Sequence, residues 1–165
     1  MTFQGAILSV GELIERAKAA PAPVADPSSP LRMLHTAATN AADVAALMLR
    51  GDSLDDAWRF GVLQTIDDYN SNMRRGGTTH ARHVFDDEPA PTGSAQIDAA
   101  FAALADYLAQ RDGWQVPDWA GKPWRVTSDW YPDVIAWERD EARRTSPRAF
   151  RRRGIYITPL GLARA

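Results

Sequence analysis

A chain of 165 residues, 45% hydrophobic and 24% charged, has the size and composition of one globular domain with a sizeable core, and leaves no room for a second full domain. Nineteen basic and 21 acidic residues give a formal charge of −2, which excludes a surface built throughout for nucleic acid or anionic lipid and leaves only local patches. The absence of cysteine excludes disulfides, thiolate catalysis, zinc ribbons and iron–sulfur ligation, and fits a reducing compartment. The opening Met1-Thr2-Phe3-Gln4-Gly5 has no basic leader, and no apolar run approaches the roughly 18 residues that span a bilayer, so the expected location is the cytoplasm, with no membrane partner.

Ser9-Val10-Gly11-Glu12 has the form of a capping box, and Leu13, Ile14 and Ala17 continue it as a short first helix ending near Ala19. Four prolines between Ala20 and Pro30 remove amide donors and fix φ, which marks residues 1–30 as a helix and proline-rich linker or arm and residues 31–165 as the single helical domain. Ala41, Val44, Leu47 and Met48 are spaced for a second helix over residues 31–50, closed by Gly51. Ser53 is placed to cap a third, in which Leu54, Trp58, Val62, Ile66 and Tyr69 recur every three or four residues to about Asn70. Arg74-Arg75-Gly76-Gly77-Thr78-Thr79-His80 reads as a mobile loop, and Asp87–Gly93 as a second irregular stretch. From Ser94 the strongest helical pattern begins, with Ile97, Phe101, Leu104 and Leu108 on one face, and Asp112-Gly113 ends it.

Five of the six tryptophans (Trp114, Trp119, Trp124, Trp130 and Trp137) then fall at irregular spacing among prolines and polar turns, the signature of a loop-rich cap. Pro132 stands like a first helical residue, which predicts a helix through Val134, Ile135 and Trp137 to about Arg144. Ser146-Pro147 starts a short turn through Phe150, and Ile155-Tyr156-Ile157-Thr158 is the one β-type run. The fold expected is mainly α: a four- to five-helix bundle with an irregular Trp-rich C-terminal cap and at most a minor β element.

Charge asymmetry is the clearest chemical signal. The last 24 residues hold seven arginines and no acid, so that a total of −2 leaves −9 for residues 1–141. Guanidinium forks grip phosphates and carboxylates, which makes Arg148, Arg151, Arg152 and Arg153 candidates for binding a partner protein or nucleic acid, with Trp124, Trp130 and Trp137 as apolar anchors. The competing account is that the arginines pair with the chain's own acids, for instance Asp133, Glu138, Asp140 and Glu141, and sit solvated. On the binding account, replacing Arg151, Arg152 and Arg153 together by alanine leaves the fold intact and abolishes binding.

Two further constellations are weaker. His80 and His83, near Asp86, Asp87 and Glu88, are acceptable metal-ligand types, but a double glycine precedes them and only His35 remains to complete a three-histidine set. The pair of helices joined at Gly51-Asp52-Ser53 has the outline of a helix-turn-helix, yet its second helix carries Asp55, Asp56, Asp67 and Asp68 against Arg59, a field that repels DNA. No Ser-His-Asp pattern or glycine-rich phosphate loop occurs, so an enzyme is the class with least support and no cofactor is expected.

In Glu88-Pro89-Ala90-Pro91-Thr92-Gly93, Ile97–Leu108, Pro117-Asp118-Trp119-Ala120, and above all Ser146-Pro147-Arg148-Ala149-Phe150-Arg151-Arg152-Arg153-Gly154-Ile155-Tyr156-Ile157, the chain resembles a group of small actinobacterial helical proteins of antitoxin or regulator type. The resemblance covers about the C-terminal half. It implies a bacterial, helical, non-enzymatic accessory protein, half of a toxin–antitoxin pair or a regulator, and it transfers no catalytic residue. The function expected is that of an antitoxin-like protein that binds and neutralises a cognate toxin, with autoregulatory DNA contact as an option for the basic segment. A nucleic-acid-binding regulator and a metal-dependent enzyme are the alternatives.

Overall fold

A computed structural model describes Ser9–Glu12, Glu15 and residues 35–162 of the chain. The chain divides into two compact units, Met1–Arg32 and Met33–Ala165. In the first, the capping box is formed: the Ser9 amide donates to Glu12 Oε2 at 2.8 Å and the Glu12 amide to Ser9 Oγ at 3.3 Å. The Ser9 amide, and with it the Ser9 hydroxyl donating to Glu12 Oε2 at 2.9 Å, favour the ionised form and hold the Glu12 carboxyl below the usual value. The expected Leu13, Ile14 and Ala17 stripe and the proline-rich segment lie outside the described residues.

The second unit is mainly α. Helix α1 (Ala37–Arg50) starts later than the alanine content predicts, because Thr36 caps it: the Thr39 amide donates to Thr36 Oγ1 at 3.2 Å and the Thr36 amide to Thr39 Oγ1 at 2.8 Å. It ends at Gly51, as the sequence predicts, and buries Ala37, Ala41 and Val44. Ser53 caps α2 (Leu54–Ala57), which widens into a π-helical segment, Trp58–Leu63, and continues as α3 (Gln64–Ala81). Extra residues in a helical turn re-aim the side chains around them, which periodicity alone does not reveal. Here the segment turns Gly61 onto α1 so closely that an added methyl would overlap Val44 Cγ2. Trp58, Val62, Ile66 and Tyr69 are buried as their spacing predicts.

Two expectations about this helix are corrected. It continues well past Asn70, because nothing between Tyr69 and Gly76 breaks it, and Asn72 is buried with its side-chain amide donating to Asp68 O at 2.8 Å. The stretch Arg74–His80 is likewise no open loop. Gly76 (φ −149°, ψ 15°) and Gly77 (φ 65°, ψ −167°) bend the chain, after which Thr78–Ala81 resumes a helical turn and a 3₁₀ turn, Arg82–Phe85, buries Val84 and Phe85.

Helix α4 (Ala95–Asp112) runs through the middle of the unit, with Ser94 at its start and Gly113 at its end, as predicted. Its expected single apolar face is too narrow a description. Besides Ile97, Phe101, Leu104 and Leu108, the alanines Ala99, Ala100, Ala102, Ala103, Ala105 and Ala109 are buried, so neighbours pack all round the helix. Two acids, Asp98 and Asp106, are buried on it too.

The cap, residues 114–158, is irregular as expected but differs in detail. Residues Val134 and Ile135 are not helical; a 3₁₀ turn at Ala136–Glu138 leads into α5 (Arg139–Thr145), so Pro132 does not open that helix. Asp133 at φ 58° stands between them and turns the chain away from a helical path. A short α6 (Arg148–Arg151) follows. The β-type run at Ile155–Thr158 forms one isolated parallel bridge, Trp130 with Ile155, and no sheet forms among the described residues. Ile155 and Ile157 go instead into the core. No helix among the described residues is long and apolar enough to cross a membrane.

Candidate interaction surface

Buried guanidinium groups tie the cap to α4. Asp106, 1% exposed on α4, accepts from Arg153 Nη1 at 2.8 Å and pairs with Arg152, while Gln110 Nε2 donates to its other oxygen at 2.6 Å. Arg153 also donates to Ala149 O at 2.8 Å and Ala120 O at 2.6 Å. Burial pushes the Arg153 guanidinium below its ordinary pKa, opposed by the hydrogen bond to Asp106, and the neighbouring Arg152 adds to the lowering.

The second clamp is Arg125, which is completely buried. It donates to Pro89 O at 2.6 Å, to Asp98 O at 3.3 Å and to Glu88 at 3.3 Å, and its guanidinium lies over Trp119 at 4.9 Å and Trp124 at 4.2 Å. Lys122 joins Glu88 at 2.6 Å, and these cations hold the Glu88 carboxyl below the usual range. Asp98 itself accepts from the Thr92 amide and hydroxyl, both at 2.8 Å, which fixes the loop before α4.

Backbone stitches complete the frame. The Thr127 amide donates to Arg153 O, the Trp130 amide to Gly154 O and the Tyr156 amide to Trp130 O, at 2.9, 2.9 and 2.8 Å. Gly154, at φ 75°, passes so close to Thr127 O that no side chain fits. Trp130 reaches the helical core and packs perpendicular to Trp58, the ring centroids 5.7 Å apart.

This frame carries an outward layer. Tyr131 and Tyr156 stack at 5.2 Å; Arg143 lies over both rings, at 5.5 and 4.8 Å, and Arg139 over Tyr131 at 5.0 Å. Asp129, at φ 30°, holds Arg143 at 2.7 Å, and that hydrogen bond raises the Arg143 pKa. Guanidiniums resting on aromatic faces keep their in-plane donors free for a carboxylate or phosphate.

The arginines named from the sequence therefore separate. Arg153 is 4% exposed and faces inward, committed to Asp106 and two carbonyls, which removes it from the partner-facing set; a low-dielectric site demands this pairing. Arg152 is half-exposed and shares Asp106, whereas Arg148 and Arg151 are exposed with no acid partner among the described residues. The intramolecular partners are Asp106 and Asp129, not the expected Asp133, Glu138, Asp140 and Glu141. Of the tryptophans, Trp137 is 77% and Trp124 44% exposed, while Trp130 is mostly spent on the Trp58 contact. Arg125, Asp98, Asp106 and the Tyr131–Tyr156 pair were not singled out from sequence; only the proximity of Arg125 to Trp124 signals the first.

His83 Nδ1 lies 2.6 Å from Asp86 Oδ2, both well exposed, and His80 packs against the Gly76 backbone. No three histidines or carboxylates converge as a metal-binding group among the described residues. An open cleft of about 340 Å³ lies beside them, floored by Phe85 and Trp114, stacked at 5.8 Å, and rimmed by Arg82, Asp86 and Asp118. Comparison with protein-family models, with curated proteins and with solved structures finds no match to this chain.

Proposed function

We propose that this chain is a non-enzymatic, antitoxin-like binding protein that engages and neutralises a cognate toxin through its C-terminal cap. The observation that supports the reading most is the contrast inside one short segment: Arg153 locked at 4% exposure while Arg148 and Arg151, on the adjoining turn, stay exposed with no acid partner among the described residues. Rigidly presented arginines beside exposed Trp124 and Trp137 combine the residue types that dominate interface energy, on a frame that needs little ordering upon binding. The partner expected is a protein with an acidic surface, in the cytoplasm, and no cofactor takes part.

The test is co-expression with the products of adjoining genes, followed by pull-down of this chain. Wild type is expected to retain a stoichiometric protein whose toxicity it suppresses, and Arg148→Ala/Arg151→Ala to fold normally and lose it. A partner held equally well by that variant contradicts the assignment of the surface. The same exposed guanidiniums favour one second reading, autoregulatory nucleic-acid binding, whose affinity would fall steeply with salt. A gel shift that shows no complex even at low salt removes it.

A further inference from the structure

Helix α5 and the 3₁₀ turn ahead of it bear charge and apolar surface that the chain itself leaves unused. Ala142 is fully buried and sets the inward side of the helix. Trp137, Asp140 and Arg144 recur at three- and four-residue spacing on the side opposite it, flanked by Glu141, and all four are exposed. Trp137 at 77% and neighbouring Ile135 at 54% are among the large apolar side chains most open to water. Asp140, Glu141, Arg144 and Arg148 form no ion pair among the described residues, although Asp140 and Arg144 stand one turn apart on the same helix.

From N- to C-terminus the stripe is aromatic, acidic, acidic, basic, and this order decides its complement. Set antiparallel against itself about a two-fold axis level with Ala142, it brings Asp140 opposite the partner subunit's Arg144. A parallel arrangement would oppose like charges. We propose that this chain pairs with a second copy of itself across the outward face of α5. Two-fold contacts require a self-complementary patch, and the exposed tryptophan supplies the apolar anchor that such a patch needs. The inference goes beyond toxin binding and does not depend on it. It uses none of Arg148, Arg151, Arg152 and Trp124, and although it shares Trp137 with the proposed toxin surface, the charge variants at Asp140 and Arg144 test it apart from toxin binding.

Sedimentation equilibrium on the full chain at low salt tests it, with a dimer expected. Trp137→Ala is expected to weaken the dimer about a hundredfold. Asp140→Arg and Arg144→Glu each weaken it about tenfold, because symmetry counts every changed pair twice. The double variant Asp140→Arg/Arg144→Glu, in which the charges are exchanged and self-complementary again, recovers to within about threefold of wild type. A monomer at about 100 µM overturns the proposal, since a specific interface is populated at that concentration. A dimer indifferent to Trp137→Ala and to both single reversals also overturns it, as does a double variant no tighter than the singles. Circular dichroism of each variant verifies the fold, and should Trp137→Ala unfold, the three charge variants decide alone.

Discussion

The helical body, α1 to α4, and the C-terminal cap solve the same problem with different chemistry. The body excludes water with apolar side chains and alanines, so close that Gly61 tolerates no methyl beside Val44. The cap has few regular hydrogen bonds and closes instead on guanidinium groups: Arg125 between two tryptophans and three oxygens, Arg153 on Asp106 and two carbonyls. An apolar core loses stability in proportion to the atoms removed, whereas a buried ionic clamp fails when one partner leaves the other uncompensated. Arginines that look equivalent in sequence thus do opposite things in the cap.

The comparison is broken most severely at Asp106. Asp106→Ala strands the buried Arg153 charge and is expected to cost about 3–5 kcal/mol in urea unfolding, lowering the melting temperature by about 10 °C. In the body, Gly61→Ala forces α1 away from the π-helical segment and costs about 1–3 kcal/mol in the same assay. A smaller, spectroscopic effect sharpens the boundary between the regions. Tyr69 is buried, donates to Asp112 Oδ2 at 2.7 Å and accepts from Trp114 Nε1 at 3.0 Å. Burial, reinforced by Asp112, raises its pKa to about 12 from 10, so the fold favours the protonated phenol. Its contribution is fully present below pH 10 and declines as pH rises toward 12. Tyr69 should therefore ionise well above the ordinary phenol value in an ultraviolet titration, and Tyr69→Phe should remove that late step. On the acid side, the Arg111 hydrogen bond holds Asp112 below its ordinary 3.8, so its contribution is present above that pH and lost as pH falls through the depressed value.

Periodicity made the body legible. Trp58, Val62, Ile66 and Tyr69, the Ser94 start and the Gly51 and Gly113 ends stand where helical spacing and capping chemistry put them. The π-helical segment was not legible, because a widened turn leaves no composition signal and the close fit of Gly61 on α1 exists only in the folded chain. Nor were the buried acids on α4: Asp98 and Asp106 break no apolar pattern, and their partners lie 4 to 47 residues away in the chain. In the cap, tryptophan and proline content announced irregularity, but which arginine turns inward depends on backbone stitches at Gly154 that exist only in the folded chain.

The division of the cap arginines into a buried clamp and an exposed surface is tested most directly by paired urea melts of Arg153→Ala and Arg148→Ala/Arg151→Ala. The account predicts that Arg153→Ala loses about 3 kcal/mol of stability while the double surface variant stays within about 0.5 kcal/mol of wild type. Equal stability of the two variants, or a surface variant that unfolds first, would contradict it.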